Sequence, residues 1–511
     1  MMTSTFKPTL FLTMGRTLAF MATFFIPVVL VRTFSQTEFG TYKQLLLLYS
    51  TLYAIAQFGM AESLFYFVPR APRESGPYVA NSLLFLAVAG VAAMAAIAVS
   101  RSELGRSFSN IALTDHVVLL GVFLLLMMPS AVLEIVLVAR GDYRLASAVY
   151  AVSDIARAML FLVPVLVFGW GIDGLLLGGI AFAALRLAAT LAFLAGRFGA
   201  GCRPALRLLT AQLGYAVPFG LAGALEIVQS TFHQYAVSYR FDAATFAIYA
   251  VGCFQVPLVD FVATSAGNVL MVQMGQEANS PRERAIPAWH RATRELALML
   301  VPLVALLMVT ARDLVVLLFT ANYLASVPIF KIWSASILLA ALPTDAVLRV
   351  HADTRFLLGL YALKLAVVVA ALPWALSTWG LPGAVLVTLL AGVMAKGLAL
   401  GRTRRLMRTG YRGLLPWRQL AGIALAAAAA AVPCALVGAA LDTTPAPRLI
   451  AMGVVYAVAY LALLLALRLV TDDERLALGR WTRRWTAAIA QVAHELRRAT
   501  RPVASSRTGD L

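Results

Sequence analysis

The sequence predicts an all-α membrane protein with fourteen transmembrane helices. Of its 511 residues, 61% are hydrophobic and 13% are charged, whereas soluble domains have about 25% charged residues. Apolar runs of about 20 residues recur along the chain, and each can cross roughly 30 Å of hydrocarbon as a helix. Because a span must satisfy its own backbone hydrogen bonds in lipid, helices are the expected element. This composition excludes a soluble fold.

We place the spans between charged or glycine- and proline-rich breaks. The first apolar stretch has no small-residue cleavage site after a short core, so we expect a retained span and not a secretory signal. The predicted spans are 10–32, 44–68, 77–99, 116–139, 146–169, 174–196, 211–237, 245–272, 296–311, 327–348, 356–377, 380–401, 419–440 and 449–470.

The distribution of basic residues predicts the orientation of the chain in the membrane. An even number of spans puts both termini on one side, and the arginine-rich loops at 197–207, 282–294 and 402–418 fall on that side. The positive-inside rule makes that side cytoplasmic, so we expect a bacterial inner-membrane protein. The net charge of +18 then indicates anionic inner-leaflet lipids as partners, and not nucleic acid. The three cysteines lack metal-ligand spacing, and no cofactor is expected.

The chain resembles itself at an offset of about 210 residues. Asp142 is followed 211 positions later by Asp353, and Trp170-Gly171 is followed 209 positions later by Trp379-Gly380. A third, weaker match pairs 38–42 with 245–249, at an offset of 207. Recurrence of short turn motifs by composition is the alternative explanation for these matches.

The repeat predicts the domain organisation. Six spans per copy give a parallel repeat, with two six-helix lobes at 1–200 and 201–410 and a transport site between them near the bilayer midplane. Two accessory helices follow at 411–470. The tail at 471–511 is basic and contains tryptophan, a composition typical of a helix on the inner leaflet or of a disordered end.

Ionisable residues inside spans cost about 2.5–3.5 kcal/mol each at the bilayer centre, so they indicate a cavity, a partner or the interface. Asp154 and Arg157, three residues apart on one helix, can also satisfy each other. Asp345 is close enough to a span end to reach the interface. Arg186 and Lys396 occupy nearly equivalent positions in the two copies, which indicates an anionic cargo.

Polar residues also follow helical spacing in three spans. Tyr49, Tyr53 and Gln57 share one face of the second span, and Asp260 begins a similar face in the eighth. The seventh span carries the longest stripe, formed by Glu226, Gln229, Ser230, His233 and Gln234. Such stripes are expected to line a cavity, and the alternative is polar contact between packed helices.

Several short motifs lie at characteristic places in the chain. They are a basic residue in the first span, Arg-Thr-Phe-Ser-Gln-Thr-Glu-Phe-Gly-Thr-Tyr at 32–42, Gln-Phe-Gly-Met-Ala-Glu-Ser-Leu at 57–64, Tyr-Ala-Val-Pro-Phe at 215–219 and Leu-Phe-Thr-Ala-Asn-Tyr at 318–323. Together they resemble the polysaccharide transport family of oligosaccharide flippases, within the multidrug, oligosaccharidyl-lipid and polysaccharide exporter superfamily. The likeness covers residues 10–400. The sequence departs from the family at Phe34-Ser35, where Leu-Gly is usual.

The resemblance implies a two-lobed bundle that carries undecaprenyl-diphosphate-linked oligosaccharide outward and is not an enzyme. We expect Arg16 to hold the diphosphate, because an arginine fork donates two parallel hydrogen bonds to phosphate. The predicted binding residues are Arg16, Tyr49, Tyr53, Gln57, Arg157, Arg186, Glu226, Gln229, His233, Gln234, Asp260, Lys364 and Lys396. Among these, Glu226 and Asp260 are candidates for proton coupling. A polysaccharide polymerase is a candidate partner.

Two alternatives remain open from the sequence. A cation-coupled multidrug exporter of the same superfamily is favoured if the cavity is acidic and aromatic. A membrane glycosyltransferase or polymerase would need catalytic groups in a large external loop, and the predicted external loops are short.

Overall fold

The computed structural model describes residues 24–276 and 285–470. These residues form helices joined by turns and short loops, and they contain no β-strand. The helices are α1 (Phe24–Thr33), α2 (Gln36–Ala56), α3 (Leu64–Arg70), α4 (Ser75–Val99), α5 (Arg101–Ser107), α6 (Leu113–Ser130), α7 (Val132–Ala139), α8 (Tyr143–Leu166), α9 (Gly171–Phe198), α10 (Leu206–Arg240), α11 (Ala243–Gly252), α12 (Pro257–Gln276), α13 (Ala285–Phe319), α14 (Val327–Ala335), α15 (Ile337–Ala340), α16 (Thr344–Val350), α17 (Thr354–Leu406), α18 (Tyr411–Leu414), α19 (Trp417–Ala440) and α20 (Pro445–Ala466).

Ten helical segments within the described residues are long and apolar enough to cross a bilayer. The one labelled α17 has 53 residues, which as a single helix would extend about 80 Å at 1.5 Å per residue. It instead folds back at Gly380, whose φ is 60°. Leu357 and Ala399 consequently share one apolar cluster, and the Arg402 guanidinium lies 5.5 Å from the Phe356 ring centroid. The reversal falls where the sequence separates two predicted spans.

Four predicted spans are interrupted within the described residues, so the structure does not confirm fourteen continuous helices. The smallest break separates α6 from α7 at Ala131, in the span at 116–139. The span at 44–68 breaks after α2, where Phe58 and Gly59 have positive φ angles of 44° and 68°. The span at 245–272 is divided between α11 and α12, and α12 begins at Pro257. The span at 327–348 breaks before α16, next to Pro343. Proline has no N–H to continue the helical ladder, which explains the last two breaks.

The motifs that recur in the sequence adopt matching local structures. Gly141 and Ala352 have positive φ angles of 81° and 54°. The aspartate after each donates its backbone N–H to the carbonyl five residues earlier, at 2.9 Å in both places. Gly171 and Gly380 both have a φ of 60°. At this φ an L-residue is strained, so glycine suits both turns.

The third, weaker match also has a common structure. The Ser35 hydroxyl accepts from the Glu38 N–H at the start of α2. The Asp242 carboxylate caps the start of α11 in the same way. Phe39 and Phe246, on the first turn of each helix, are fully buried. Each motif is thus a helix cap followed by an aromatic anchor.

Helix α10 joins the first and second halves of the chain. Near its start, the Gln212 amide donates to the hydroxyls of Ser63 and Ser82 at 2.9 and 2.8 Å. Near its end, the Gln44 amide of α2 donates to the Ser238 hydroxyl at 2.8 Å. Gly40 lets α2 approach the backbone of Ala243 on α11, where an added Cβ would collide. The two halves therefore pack along α2, α10 and α11.

The two C-terminal helices, α19 and α20, pack on α13. The Tyr460 hydroxyl donates to the Leu298 carbonyl oxygen at 3.2 Å. Arg294 donates to the Leu469 carbonyl oxygen at 2.7 Å. These contacts place the pair at the side of the second half.

Candidate functional site

A polar cavity of about 430 Å³ lies among α10, α14, α15, α16 and both parts of α17. Its volume falls within the range of about 300–1,000 Å³ that is usual for ligand pockets. Its ionisable side chains are Glu226, Asp345, Tyr361, Lys364 and Lys396, and its neutral polar lining includes Gln229, Ser230, Ser336 and Thr388. This cavity combines four of the predicted binding residues, Glu226, Gln229, Lys364 and Lys396.

Lys396 projects from the second part of α17 to the break before α16. Its ammonium donates to the Leu342 carbonyl oxygen and the Thr344 hydroxyl, both at 3.1 Å, and to Asp345 Oδ1 at 3.2 Å. The Leu342 carbonyl precedes α16 and also accepts from the Thr344 N–H at 2.8 Å, so it lies outside the helical ladder. The predicted cation therefore sits among three oxygen atoms.

Asp345 has two hydroxyl partners besides the lysine. The Tyr361 hydroxyl donates to Oδ2 at 2.8 Å, and the Thr344 hydroxyl donates to Oδ1 at 3.1 Å. Asp345 thus connects the first part of α17, through Tyr361, with the second part, through Lys396.

Lys364 lies one helical turn after Tyr361. With the Gln229 amide oriented to satisfy both of its ends, its oxygen accepts from the Lys364 ammonium at 3.0 Å, and its nitrogen donates to the Tyr361 carbonyl oxygen at 3.3 Å. Such an orientation is an assignment from the hydrogen-bond network. Gln229 thereby connects the polar stripe of α10 to Lys364.

The first half contains a matching ion pair. Arg186 on α9 donates to Glu134 Oε1 on α7 at 2.7 Å and to the Ser153 hydroxyl at 3.3 Å. Glu134 and Asp345 are 211 positions apart, and Arg186 and Lys396 are 210 apart. Arg157, another predicted cation, forms an ion pair with Asp154. Both arginines are therefore neutralised within their own half.

Tyr49 and Arg157 line a second cavity, of about 240 Å³. The other lining side chains are mostly apolar and include Ile26, Leu120 and Phe123. Tyr49 stacks on Tyr53, with 5.5 Å between ring centroids. The structure thus brings the two predicted tyrosines together, away from the lysine-containing cavity.

The remaining predicted residues are dispersed. His233 is buried, and its Nδ1 lies 2.7 Å from the Tyr249 hydroxyl. Gln57 is buried after α2, and Gln234 is half-buried. Asp260 lines a separate cavity of about 220 Å³. That cavity shares Trp333 and Ser336 with the 430 Å³ cavity, so the two adjoin. Arg16 lies outside the described residues.

Sequence reasoning missed Asp345, Glu134 and Tyr361 as members of these clusters. Proximity to a span end was an incomplete account of Asp345, because the side chain turns toward Lys396. The signal was present in the repeat, since the two cations are 210 positions apart and their carboxylates are 211 apart. Testing every intramembrane charge at that offset would have found both pairs.

Comparison with solved structures shows the fold. The chain is similar to a structure described as lipid II flippase MurJ in an inward closed conformation, with a TM-score of 0.68, 10% identity and coverage of 88% of this chain and 98% of that one. It is also similar to an outward-facing multidrug resistance MATE family transporter of the MOP superfamily, with a TM-score of 0.57, 14% identity and coverage of 79% and 96%. A MOP superfamily transporter from Pyrococcus furiosus matches with a TM-score of 0.56, 15% identity and coverage of 78% and 94%.

At these identities the similarity shows a shared fold and neither a role nor a substrate. No curated protein matches the sequence. A family model described as polysaccharide biosynthesis protein matches residues 29–328, more than half of the chain. With its long apolar helices, the chain is a multi-pass membrane protein that belongs to the polysaccharide biosynthesis protein family.

Proposed function

We propose that this protein is a flippase that moves undecaprenyl-diphosphate-linked oligosaccharide from the cytoplasmic to the outer face of the bacterial inner membrane. The observation that carries the proposal is the 430 Å³ cavity, which is lined by two lysines that belong to predicted membrane spans. Charged groups inside a membrane are costly and by default indicate a substrate or ion pathway. Membership in a polysaccharide biosynthesis family supports a glycan cargo.

The cavity offers chemistry for the two polar parts of such a cargo. Lys364 and Lys396 supply ammonium donors for a diphosphate. Trp333 and Tyr361, which also line the cavity, supply ring surfaces and Gln229 supplies an amide for sugars. A polar path is required because each buried polar group without a partner costs several kcal/mol in hydrocarbon, roughly 4–8 on the water-to-cyclohexane scale.

The ion pairs of the first half change which cations we assign to the cargo. Arg157 and Arg186 are ion-paired and do not line the 430 Å³ cavity. Lys364 and Lys396 do line it, so we assign the phosphate to them. We retain Arg16 as a further contact. An inside-negative potential would favour outward movement of the anionic head by about 2.3 kcal/mol per charge per 100 mV.

We further propose that residues 1–200 and 201–410 form two lobes that rock about the site, with 411–470 as an accessory pair. Both termini would be cytoplasmic, and the tail at 471–511 would bind anionic lipids. A polysaccharide polymerase on the outer face would consume the product.

Deletion of the gene tests the proposal. We expect lipid-linked glycan to accumulate on the inner face of the membrane, and we expect export to return with the wild-type chain but not with Lys364→Gln/Lys396→Gln. Unchanged export in the deletion strain would refute the proposal. If the deletion instead raises drug sensitivity and leaves glycan export unchanged, the protein is a drug exporter.

A further inference from the structure

We propose that Asp345 is an exchangeable counter-ion that occupies the place of the cargo phosphate on Lys396 in the empty transporter. Loading would transfer Lys396 from the carboxylate to the phosphate, and release would return it. This inference rests on the proposed function and assigns a regulatory role to one residue of the same site.

The geometry around Asp345 allows this exchange. Lys396 contacts Asp345 through Oδ1 alone, at 3.2 Å, and keeps the Leu342 carbonyl oxygen and the Thr344 hydroxyl as other partners. A departing ammonium would leave the carboxylate with the hydroxyl donors of Tyr361 and Thr344. Neither charge would lose all of its partners.

Exposure also favours exchange. The Lys396 and Asp345 side chains are 24% and 37% exposed, whereas both side chains of the Arg186–Glu134 pair are 14% exposed. Breaking a dry ion pair leaves an uncompensated charge, and a pair at a cavity wall can be rehydrated as it opens. The second-half pair is therefore the one suited to repeated opening.

The chemistry of the cation points the same way. A lysine ammonium is a compact charge with three rotatable donors, whereas an arginine fork holds one carboxylate in a fixed planar geometry. An ammonium can pass from a carboxylate oxygen to a phosphate oxygen with a small movement. Lys364, which Gln229 holds in the same cavity, would supply the second ammonium for a diphosphate.

Binding of undecaprenyl diphosphate to the full chain in nanodiscs tests the exchange. Asp345→Asn removes the competing charge and keeps an acceptor for Tyr361, so we expect about fivefold tighter binding, the order of magnitude of one partly exposed ion pair. Transport of the lipid-linked glycan should slow in the same variant, because nothing displaces the phosphate. A purely structural role would weaken binding and transport together.

A variant of Lys396 shows whether the effect of Asp345→Asn on binding acts through this lysine. We expect Lys396→Gln to weaken binding, and Asp345→Asn added to it to give no gain, which makes the two changes non-additive. Glu134→Gln in the first half should not tighten binding. An unchanged affinity in Asp345→Asn, or a gain that persists with Lys396→Gln, would overturn the exchange. Failure of the wild-type chain to bind the lipid would instead contradict the proposed function.

Discussion

The two halves carry the same ion pair in different settings. In the first half Arg186 and Glu134 meet at 2.7 Å and are nearly buried. In the second half Lys396 and Asp345 meet at 3.2 Å on the wall of a cavity and are more exposed. The cation and the acid change from longer to shorter side chains between these positions. The comparison indicates that the Arg186–Glu134 pair stabilises the packing of the first half, while the Lys396–Asp345 pair is available to a ligand.

Glu134→Gln should have the largest effect on stability. Removing one partner of a fully buried ion pair costs about 3–5 kcal/mol, because the other charge stays desolvated. The Arg186–Glu134 side chains are 14% exposed, so we expect a loss below that range but above the loss for the more exposed pair. Thermal unfolding of the purified protein would measure the loss. Asp345→Asn is the matched control, with an expected loss of about 1 kcal/mol or less for a partly exposed pair. Equal losses in the two variants would contradict the difference between the halves.

Lys396→Gln should reduce glycan export by about tenfold, the order of magnitude of one charged hydrogen bond. Export in the complemented deletion strain, corrected for protein level, is the measurement. Arg186→Gln provides the comparison. We expect it to lower the unfolding temperature more than Lys396→Gln does. The comparison would be contradicted if both variants reduced export and neither lowered the unfolding temperature.

Replacing lysine by arginine in one ion pair, and arginine by lysine in the other, tests the same difference between the halves. We expect Lys396→Arg to lower transport several-fold without loss of stability, because the guanidinium can hold Asp345 through two parallel hydrogen bonds. Arg186→Lys should instead cost about 1 kcal/mol of stability and leave transport nearly unchanged, since one hydrogen bond is lost. Transport assays and thermal unfolding on both variants distinguish the two outcomes. Faster transport by Lys396→Arg would be incompatible with an exchangeable pair.

Tyr361→Phe should have the smallest effect. Loss of the hydroxyl that donates to Asp345 removes one hydrogen bond, worth about 1 kcal/mol, and should slow transport about fivefold or less. Tyr150, 211 positions earlier, offers the matched Tyr150→Phe control, for which we expect no change in transport. Equal slowing of transport by both variants would remove the distinction between the halves.

Much of the fold was predictable from the sequence because hydrophobic length is a local property. The segments from α4 to α10 match predicted spans to within a few residues, apart from a small break at Ala131 in the fourth. The breaks after α2, before α12 and before α16 were not predicted, because the apolar runs continue through them. Pro257 and Pro343 are visible in the sequence, but Pro218 lies inside the continuous α10, so a proline alone does not decide whether a span breaks. The positive φ angles at Phe58 and Gly59 appear only once the backbone is placed.

The candidate site was less predictable. The sequence placed Glu226, Gln229, Lys364 and Lys396 among the binding residues, and the structure gathers them in one cavity. It also included Arg157 and Arg186, which the structure pairs with carboxylates. Partner choice depends on how neighbouring helices are rotated, and spacing within one helix carries no information about that rotation.

The sequence by itself determined that the chain spans a membrane, that its segments are helical and that short motifs recur at about 210 residues. These features could be predicted because apolar runs, helix caps and glycine turns depend on residues that are adjacent in the sequence. Only the tertiary structure decided which charges meet. Asp345 faces Lys396 because the chain breaks at Pro343 and reverses at Gly380, and this packing places the Lys396–Asp345 pair on the wall of a cavity formed by described residues.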